Sequence, residues 1–388
     1  MQETNSFAQG LLTDPVTQDP NLRRVLRLIW KSEGIPRIDV AKGLGLDKST
    51  VTKIVTELLD GGMIYEGAEG EAKKLLGGRK PIELRIRGDF GVFLGIEILP
   101  DRYRACLLDP LGAVLSTAEA GLSYSGRGLQ LVVLEAIADA RERMAFSSPT
   151  LLGVGLGLSG IIDSEHGVVR RSVPLGVVEP VHILGSAAEP STPHPRIEND
   201  ARCCCWAELV RNRGFLSEDF MFLLGEFRQE RAGELPAGIG VGLALVIDGA
   251  VHRGTDGRAG EFRSVFRRED TRSQFSLPDE VIRRAATEDE DFSRVARELG
   301  MNLGLIVNLL DLRRVIIGGG FERWRTILAA TLAEEIESNK VYPGEARCEI
   351  SFSSLGDNIV AYGAASMLIS RLFSEPPVSR KRGPSAFP

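Results

Sequence analysis

The residues between Lys48 and Lys53 have the side chains needed to recognise DNA. Hydroxyl and amine groups hydrogen-bond to base edges and phosphates when a helix lies in the major groove. We interpret five of these residues as groove-facing: Lys48, Ser49, Thr50, Thr52 and Lys53. The alternative is that they form the ordinary solvated face of a helical hairpin.

Two short helices joined by a tight turn are predicted to position these side chains. In the second helix, apolar residues recur at i, i+3, i+4, i+7 and i+8, which is the period of an amphipathic helix. They are Val51, Ile54, Val55, Leu58 and Leu59. Asp47 is placed to cap this helix, because a carboxylate can accept the free N–H groups of a first turn. A further amphipathic helix over 21–32 precedes the pair.

Two short strands joined by a basic loop follow the second helix. Residues 63–66 and 82–87 have strand patterns, and the loop between them is rich in Gly, Lys and Arg. A helix-turn-helix followed by a β-hairpin is a winged module, whose tip can reach phosphates or a minor groove. We expect Arg79 and Lys80 of this tip to contact DNA, although a basic loop can also be merely solvated.

Charge is distributed unevenly along the chain. Residues 21–87 carry fourteen Lys and Arg against nine Asp and Glu, whereas the 388-residue chain has a net charge of −6. A basic N-terminal module on an acidic remainder is the asymmetry expected if only the first part meets DNA. The composition, 43% hydrophobic and 26% charged, is that of a globular protein.

The sequence also indicates where the protein is expected in the cell and whether its cysteines form disulfides. The first residues lack a basic segment followed by an apolar run, and no uninterrupted apolar stretch reaches about eighteen residues. We therefore expect a cytoplasmic protein without a membrane partner. Five cysteines, three of them consecutive, do not form a disulfide framework.

The chain length predicts two or three domains. We expect a disordered arm over 1–20, a winged helix-turn-helix over 21–88, a two-lobed body over 89–373 and a disordered tail over 374–388. In the body, a set of strands with intervening helices occurs twice. This repetition favours two α/β lobes with a cleft between them.

The order of several motifs resembles the ROK family, named for repressors, open reading frames and sugar kinases. The matching segments are 198–201, 238–242, 254–261, 318–320, 356–358 and 363–365. The winged module resembles that of the family's transcriptional regulators and is absent from its free-standing kinases. The resemblance implies an α/β fold in which the winged helix-turn-helix precedes two actin-like (ribonuclease H-like) lobes.

The resemblance also indicates that the nucleotide site is lost. In family kinases an Asp-x-Gly-Gly-Thr turn cradles the ATP phosphates, and the matching residues here are 97–101. Leu99 blocks close backbone approach, and Pro100 has no N–H to donate. Asp101 would place a carboxylate against a phosphate, where such loops offer backbone donors. We therefore expect no enzyme activity and no cofactor.

The sugar side of the family site is partly kept. By similarity, Asn199 and Asp200 would bind sugar hydroxyls, with Asp200 in the place of the kinase general base. Glu261 matches an acidic sugar ligand, and Gly160 matches the glycine of the family's Pro-Gly turn, with Ser159 in place of the proline. The resemblance thus implies a sugar or sugar derivative as effector. The alternative is that Asn199 caps the helix beginning at Ala201, with Asp200 and Glu261 merely solvated.

The family's zinc ligands are missing from the matching segment. Family members commonly bind zinc through a His and three Cys shortly after the residue that matches Glu261. Residues 260–264 contain no His, and no Cys lies between Cys205 and Cys348. Zinc requires about four N or S ligands, so we expect no metal site. Adjacent helical residues point about 100° apart, which favours Cys203, Cys204 and Cys205 as buried small residues.

These observations predict a DNA-binding regulator of the ROK type, expected to be a repressor controlled by a sugar-like effector. It would act as a homodimer or tetramer on a palindromic double-stranded DNA operator. The sequence also allows two alternatives: a regulator that has lost small-molecule sensing, and a sugar kinase of the same fold.

Overall fold

The computed structural model describes residues 2–13, 19–67, 82–124, 127–144, 150–183, 193, 195–213, 219–228, 238–269, 271–342, 344 and 347–374. The chain divides into two compact units, Met1–Gly91 with Ser370–Pro388, and Val92–Ile369. In these described ranges, no helix combines the length and the apolar character needed to cross a membrane.

The first unit contains the winged helix-turn-helix. Its helices are α1 (Gln2–Thr13), α2 (Pro20–Lys31), α3 (Arg37–Leu44) and α4 (Lys48–Asp60). Its strands are β1 (Ile35–Pro36), β2 (Ile64–Gly67) and β3 (Glu83–Ile86), which form an antiparallel sheet in the order β1-β3-β2. The predicted hairpin is therefore present, with an additional short strand from the segment before α3.

The turn from α3 to α4 sets the direction of the second helix. Gly45 ends α3 with a φ of 63°, in the left-handed region that favours glycine. Asp47 precedes α4 in the extended conformation of an N-cap, and its carbonyl accepts the Val51 N–H at 3.0 Å. The Asp47 side chain makes no capping hydrogen bond with a described residue. Asp47 is therefore the N-cap residue that the sequence predicts, but the predicted hydrogen bonds to its carboxylate are not formed with the described residues.

The predicted disorder of residues 1–20 was wrong for Gln2–Thr13, which forms α1. Ala8 and Leu11 of this helix are fully buried. The buried Arg23 side chain of α2 donates a hydrogen bond to the Leu11 carbonyl. The polar composition of the segment hid an apolar spacing of i, i+3 and i+4 at Ala8, Leu11 and Leu12, which is sufficient for one buried helical face.

The first lobe of the second unit is built on a five-stranded sheet. Its elements are β4 (Val92–Ile98), β5 (Arg102–Leu108), β6 (Val114–Gly121), α5 (Leu129–Arg143), β7 (Leu151–Leu158), β8 (Ile161–Asp163), β9 (Val168–Arg171), β10 (Val181–His182), β11 (Arg196–Asn199) and α6 (Asp200–Arg211). The sheet order is β11-β7-β4-β5-β6, and β8, β9 and β10 form a separate small sheet. Strands β4, β5 and β6 are antiparallel, whereas β7 and β11 run parallel to β4.

The second lobe repeats this topology. Its elements are β12 (Phe220–Arg228), β13 (Gly238–Ile247), β14 (Ala250–His252), α7 (Asp279–Arg284), α8 (Asp289–Leu309), β15 (Arg314–Gly319), α9 (Arg325–Ser338), β16 (Glu349–Phe352) and α10 (Ile359–Phe373). The sheet order is β14-β13-β12-β15-β16. Again the first three strands are antiparallel and the next two run parallel to the first. The prediction of two α/β lobes is confirmed.

Helix α10 packs closely against the first sheet and against α6. A Cβ on Gly95 would lie 1.9 Å from the Ala361 carbonyl oxygen, and a Cβ on Gly155 would lie 2.0 Å from that of Ala364. A Cβ on Gly363 would lie 1.9 Å from the Cys203 carbonyl oxygen. These contacts allow only glycine at the three positions, because the backbones meet directly.

The last turn of α10 belongs to the first unit. Phe373 stacks on Trp30 with ring centroids 5.0 Å apart. The Arg371 Nε donates to the Leu12 carbonyl at 3.2 Å, and the Arg23 Nη1 donates to the Arg371 carbonyl at 3.3 Å. The N-terminal helix and the end of α10 therefore share one core with α2. Most of the predicted disordered tail, residues 375–388, lies outside the described residues.

Candidate functional site

Helix α4 presents the predicted DNA-contacting side chains on one face. Its opposite face buries Val51, Ile54, Val55 and Leu58. Of the predicted residues, Thr50 is half-buried and the others are exposed: Lys48, Ser49, Thr52 and Lys53. The Thr52 hydroxyl donates to the Lys48 carbonyl at 2.8 Å, so its oxygen is left as a hydrogen-bond acceptor. The two predicted wing residues, Arg79 and Lys80, lie outside the described residues.

The strand register brings the predicted effector residues together. Ile98 pairs with Leu158, and Leu158 pairs with Asn199, across the parallel strands β4, β7 and β11. The carboxyl ends of these strands therefore meet at one edge of the sheet, which is where open α/β sheets bind ligands. Residues distant in sequence become neighbours at this edge.

All four predicted effector residues line one cavity of about 400 Å³: Gly160, Asn199, Asp200 and Glu261. The Asn199 Nδ2 donates to the Gly160 carbonyl at 3.1 Å and to the Asp200 Oδ1 at 2.8 Å. Gly160 has a φ of 103°, and a Cβ there would lie 2.2 Å from the Arg171 carbonyl oxygen. A glycine is therefore required at this turn.

The alternative prediction, that Asn199 caps α6, is confirmed. Its Oδ1 accepts the Arg202 N–H at 3.1 Å at the start of the helix. The same side chain therefore caps the helix with its oxygen and holds the cavity wall with its nitrogen. Asp200 is not merely solvated, because it is half-buried and its Oδ1 accepts the Ala201 N–H at 2.8 Å.

Electrostatics raise the pKa of the cavity carboxyls. Burial raises the pKa of Asp200 to about 7, with a further contribution from the nearby Glu226 carboxylate. The Ala201 N–H and Arg228 oppose this shift without cancelling it. Burial also raises the pKa of Glu261 above its ordinary value. Asp200 therefore changes its charge near neutral pH and can both accept and donate hydrogen bonds to a hydroxyl.

A buried ion-pair network holds the Asn199–Asp200 segment in place. The fully buried Glu198 accepts from the Arg202 Nε at 2.7 Å, the Arg253 Nη2 at 2.7 Å and the Ser164 Oγ at 2.7 Å. Burial alone would raise the pKa of Glu198, but the two guanidinium groups hold it below its ordinary value. Sequence reasoning treated Glu198 only as part of a motif. The available signal was the i, i+4 spacing of Glu198 and Arg202.

Arg202 extends this network to two other segments. Its Nη1 donates to the Gly257 carbonyl at 3.0 Å, and its Nη2 donates to the Ile162 carbonyl at 3.2 Å. The guanidinium therefore joins α6 to β8 and to the loop that leads to Glu261. One buried cation therefore connects three parts of the chain, two of them through backbone carbonyls.

The segment that matches the kinase phosphate loop is a tight turn between β4 and β5. The Leu99 N–H donates to the Arg102 carbonyl at 2.9 Å, and the Tyr124 hydroxyl donates to the Leu99 carbonyl at 3.1 Å. Pro100 and Asp101 line the adjoining cavity of about 370 Å³. The turn therefore presents an imino acid and a carboxylate at this cavity.

A buried carboxylate and an arginine also face this second cavity. The Arg104 Nη1 lies 3.5 Å from the Glu97 Oε2 and donates to the Asp357 carbonyl at 3.2 Å. Its Nη2 lies 3.4 Å from the Asp357 Oδ2, and its Nε lies 3.4 Å from the Glu119 Oε2. Arg104 is thus already engaged by three carboxylates. Burial raises the pKa of Glu97 from its ordinary 4.5 to about 8, although Arg104 opposes the shift.

Hydrogen bonds organise the loop that follows Glu261, where family members commonly bind zinc. The Gln274 side chain accepts the Val241 N–H at 2.7 Å and donates to the Val241 carbonyl at 2.8 Å. From α8, Asn302 accepts the Val265 N–H at 2.9 Å and Glu298 accepts the Ser276 N–H at 2.7 Å. Across the described residues, no group of three or more His, Cys, Asp or Glu is arranged to hold a metal ion.

The three consecutive cysteines are core residues of α6. Cys203, Cys204 and Cys205 are free and fully buried, and burial raises the pKa of each thiol. Their interpretation as buried small residues is confirmed. Cys203 lies where α6 meets Gly363 of α10, and a larger side chain would disturb that close packing.

The fold and the site together define a winged-helix DNA-binding protein with a two-lobed, sugar-kinase-like body. Residues 18–65 match the family described as winged helix-turn-helix DNA-binding, and residues 93–263 match the ROK family. The chain therefore carries a winged helix and a ROK family domain, and it is a DNA-binding transcriptional regulator of the ROK type.

Known relatives agree with this assignment. The xylose repressor of Caldicellulosiruptor bescii is 26% identical over 400 residues, covering 91% of this chain and 96% of the relative. A crystal structure of a ROK family transcriptional regulator, a homolog of the E. coli MLC protein, superposes with a TM-score of 0.73 at 20% identity, covering 91% and 96% of the two chains. A ROK family glucokinase from Streptomyces griseus, crystallised with glucose and AMPPNP, has a TM-score of 0.54 at 18% identity and covers 71% of this chain and 99% of its own.

The raised pKa of Glu97 predicts a pH-dependent stability. The native protein retains a proton that unfolded Glu97 has released above about pH 4.5, so the free energy of unfolding falls as the pH rises from about 5 to about 8. Glu97→Gln should make this fall shallower and stabilise the protein above pH 8. Chemical denaturation at several pH values measures the slope.

Glu119→Gln is the matched control, because Glu119 also contacts Arg104 but is exposed. Its stability curve should follow that of the wild type. Equal slopes for the two variants would show that Glu97 does not hold a proton in the native state.

Proposed function

We propose that this regulator is a repressor whose affinity for its operator is controlled by a sugar or sugar derivative bound in the 400 Å³ cavity. The observation that carries the proposal is the convergence of Gly160, Asn199, Asp200 and Glu261 on that cavity. Amide and carboxyl groups of this kind hydrogen-bond to sugar hydroxyls. The printed name of the relative, a xylose repressor, supports both the sign of regulation and the class of effector.

We further propose that the protein does not transfer phosphate from ATP. The turn at Leu99–Asp101 offers an imino acid and a carboxylate where an anion cradle needs N–H donors. Arg104 does not compensate, because carboxylates already engage its guanidinium. Asp200 has the chemistry of a general base, but a base accelerates phosphoryl transfer only when a phosphoryl donor is bound beside it.

An effector controls DNA binding only through differential affinity. A sugar that binds one conformation of the body more tightly than another shifts the population toward that conformation. The same coupling free energy then appears as a change in operator affinity. A sugar bound equally well by both conformations would have no regulatory effect, however high its affinity.

Purified protein mixed with ATP and a panel of hexoses and pentoses should release no ADP in a coupled assay. A sugar of the effector class should instead raise the melting temperature, because it binds the folded state alone. Asp200→Asn should greatly reduce this stabilisation, since the amide cannot accept with both terminal atoms.

Glu165→Gln is the matched control, an exposed carboxylate of the same lobe that does not line the cavity. It should retain the full thermal shift. Sustained ADP release would identify a kinase, and a melting temperature unmoved by any compound would favour a regulator that has lost small-molecule sensing.

We propose that α4 enters the major groove. Its contact residues would be Lys48, Ser49, Thr50, Thr52 and Lys53, with Arg79 and Lys80 at the wing. The support from the structure is the division of α4 into a buried apolar face and an exposed polar face. A helix with this division, in a winged module, has the geometry of a recognition helix.

Lys53→Ala should weaken operator binding and flatten its salt dependence by about one unit of slope, because one phosphate or base contact is lost. Genome-wide footprinting of the tagged protein would supply the operator, and fluorescence anisotropy at several salt concentrations would measure the slope. Arg283→Ala, which removes an exposed cation of α7 in the body, is the control. An unchanged slope for Lys53→Ala would exclude this residue from the DNA interface.

We propose that the protein is a homodimer, as a palindromic operator requires, or a tetramer built from such dimers. An apolar stripe on α8 supports a second copy as partner. Met301, Leu305 and Leu309 follow one another at four-residue intervals and are 37%, 51% and 77% exposed. Contiguous exposed apolar side chains of this kind mark protein–protein contacts.

Leu305→Glu combined with Leu309→Glu should reduce the mass measured by light scattering to that of one chain. The two charges would have to be buried without partners in the dimer. Leu131→Glu, at a leucine on α5 that is 59% exposed, should leave the mass of the wild type unchanged. Identical masses for all three proteins would remove α8 from the interface.

A further inference from the structure

We infer that the effector carries a negative charge, as a sugar phosphate or a sugar carboxylate does, and that arginines of the cavity bind this charge. The inference rests on the proposed function, since it assumes that the 400 Å³ cavity binds the effector. It goes further by specifying a chemical class that the carboxyl and amide groups of the predicted site do not indicate.

The cavity lining contains more cationic than anionic side chains. Its arginines are Arg171, Arg228, Arg263, Arg267 and Arg272. Its carboxylates are Asp200, Glu226, Glu261 and Asp279. A neutral sugar requires hydroxyl-binding groups, which the carboxylates and Asn199 already supply. Five guanidinium groups therefore need a separate explanation.

Two of the arginines have partners within the protein. The Arg267 Nε donates to the Ser273 carbonyl at 3.1 Å, so this side chain supports the loop. The Arg228 Nη2 lies 3.7 Å from the Glu226 Oε2 and forms an ion pair with it. These two residues are explained by the architecture of the cavity wall.

The side chains of the remaining three arginines have no hydrogen bond or ion pair with any described residue. They are Arg171, Arg263 and Arg272, which are exposed at the cavity and come from β9 and from the loop after Glu261. Among the carboxylates of the lining, Glu226 is paired with Arg228, and the cations that act on Glu261 are Arg202 and Arg258. The three guanidinium groups therefore carry positive charge that no described carboxylate pairs with.

Arginine is suited to bind an oxyanion at such a position. Its planar guanidinium matches phosphate and carboxylate with two parallel hydrogen bonds, and it loses less hydration than an ammonium group. Cations gathered in one cavity repel each other, and a bound anion relieves this repulsion. A sugar with an acidic group would satisfy both halves of the lining: hydroxyls at Asn199, Asp200 and Glu261, and the anion at the arginines.

Isothermal titration calorimetry on the full-length protein tests this inference. The probes are D-glucose, D-xylose and D-xylulose, the phosphates glucose 6-phosphate and xylulose 5-phosphate, the carboxylates gluconate and xylonate, and inorganic phosphate. At least one charged sugar should bind about tenfold or more tightly than its neutral parent, as expected for hydrogen bonds to an ionised group. The separate phosphate and carboxylate series show which anion the cavity prefers.

Arg263→Gln combined with Arg272→Gln should weaken the charged sugar by about tenfold or more and leave any weak binding of its neutral parent unchanged. Arg171→Gln provides an independent variant on another element. Arg268→Gln is the matched control, an exposed arginine of the same loop that does not line the cavity. Melting temperatures without ligand establish that each variant folds.

Four results would overturn the inference. Equal affinity for a neutral sugar and its charged form, or no effect of the arginine variants, would refute it while the proposed function stands. Inorganic phosphate binding as tightly as the best sugar phosphate would show a simple anion site. If no sugar, charged or neutral, binds at all, the proposed effector site fails together with the inference.

Discussion

The cavity lined by Asn199 and Asp200 depends on one buried carboxylate. Glu198 has no contact with solvent, and a charge in that position is tolerated only because Arg202 and Arg253 neutralise it and Ser164 donates a further hydrogen bond. Removing both cations would leave an uncompensated charge in the interior. Because the network fixes the residues next in sequence, Asn199 and Asp200, the geometry of this cavity wall depends on a buried interaction behind it.

The two lobes share a topology, but the two cavities that they line differ in their chemical groups. On one side, the 370 Å³ cavity includes the residues that match a phosphate loop. There the β4–β5 turn supplies Pro100 and Asp101, and Arg104 is paired with carboxylates. On the other, the Asn199–Asp200 segment lines a cavity with arginines whose side chains have no partner among the described residues. Gln274, Asn302 and Glu298 hydrogen-bond to the backbone in and around the loop after Glu261. The same two-lobed body therefore supports two cavities whose linings differ in charge and in hydrogen-bonding groups.

Local patterns were sufficient for much of this fold. The apolar period of α4, the strands on either side of the wing and the repeated strand sets of the body were all predicted and are all present. Predictions differed from the structure where composition conflicted with spacing and where a side-chain hydrogen bond was expected from residue type alone. The polar composition of residues 2–13 suggested disorder, although Ala8 and Leu11 are buried in a helix. Asp47 occupies the N-cap position of α4, but its side chain makes no capping hydrogen bond with a described residue.

The sequence by itself determined the order of domains, the recognition-type helix and the loss of phosphate-loop donors, because these properties reside in short segments and in residue types. Only the tertiary structure decided which side chains surround the ligand cavity. Arg171, Arg263 and Arg272 are remote from Asn199 along the chain, and their shared lining arises from sheet register, from the turn at Gly160 and from the path of the loop after Glu261. The net charge of a cavity depends on all the groups that folding brings to its walls. A local sequence pattern therefore cannot predict it.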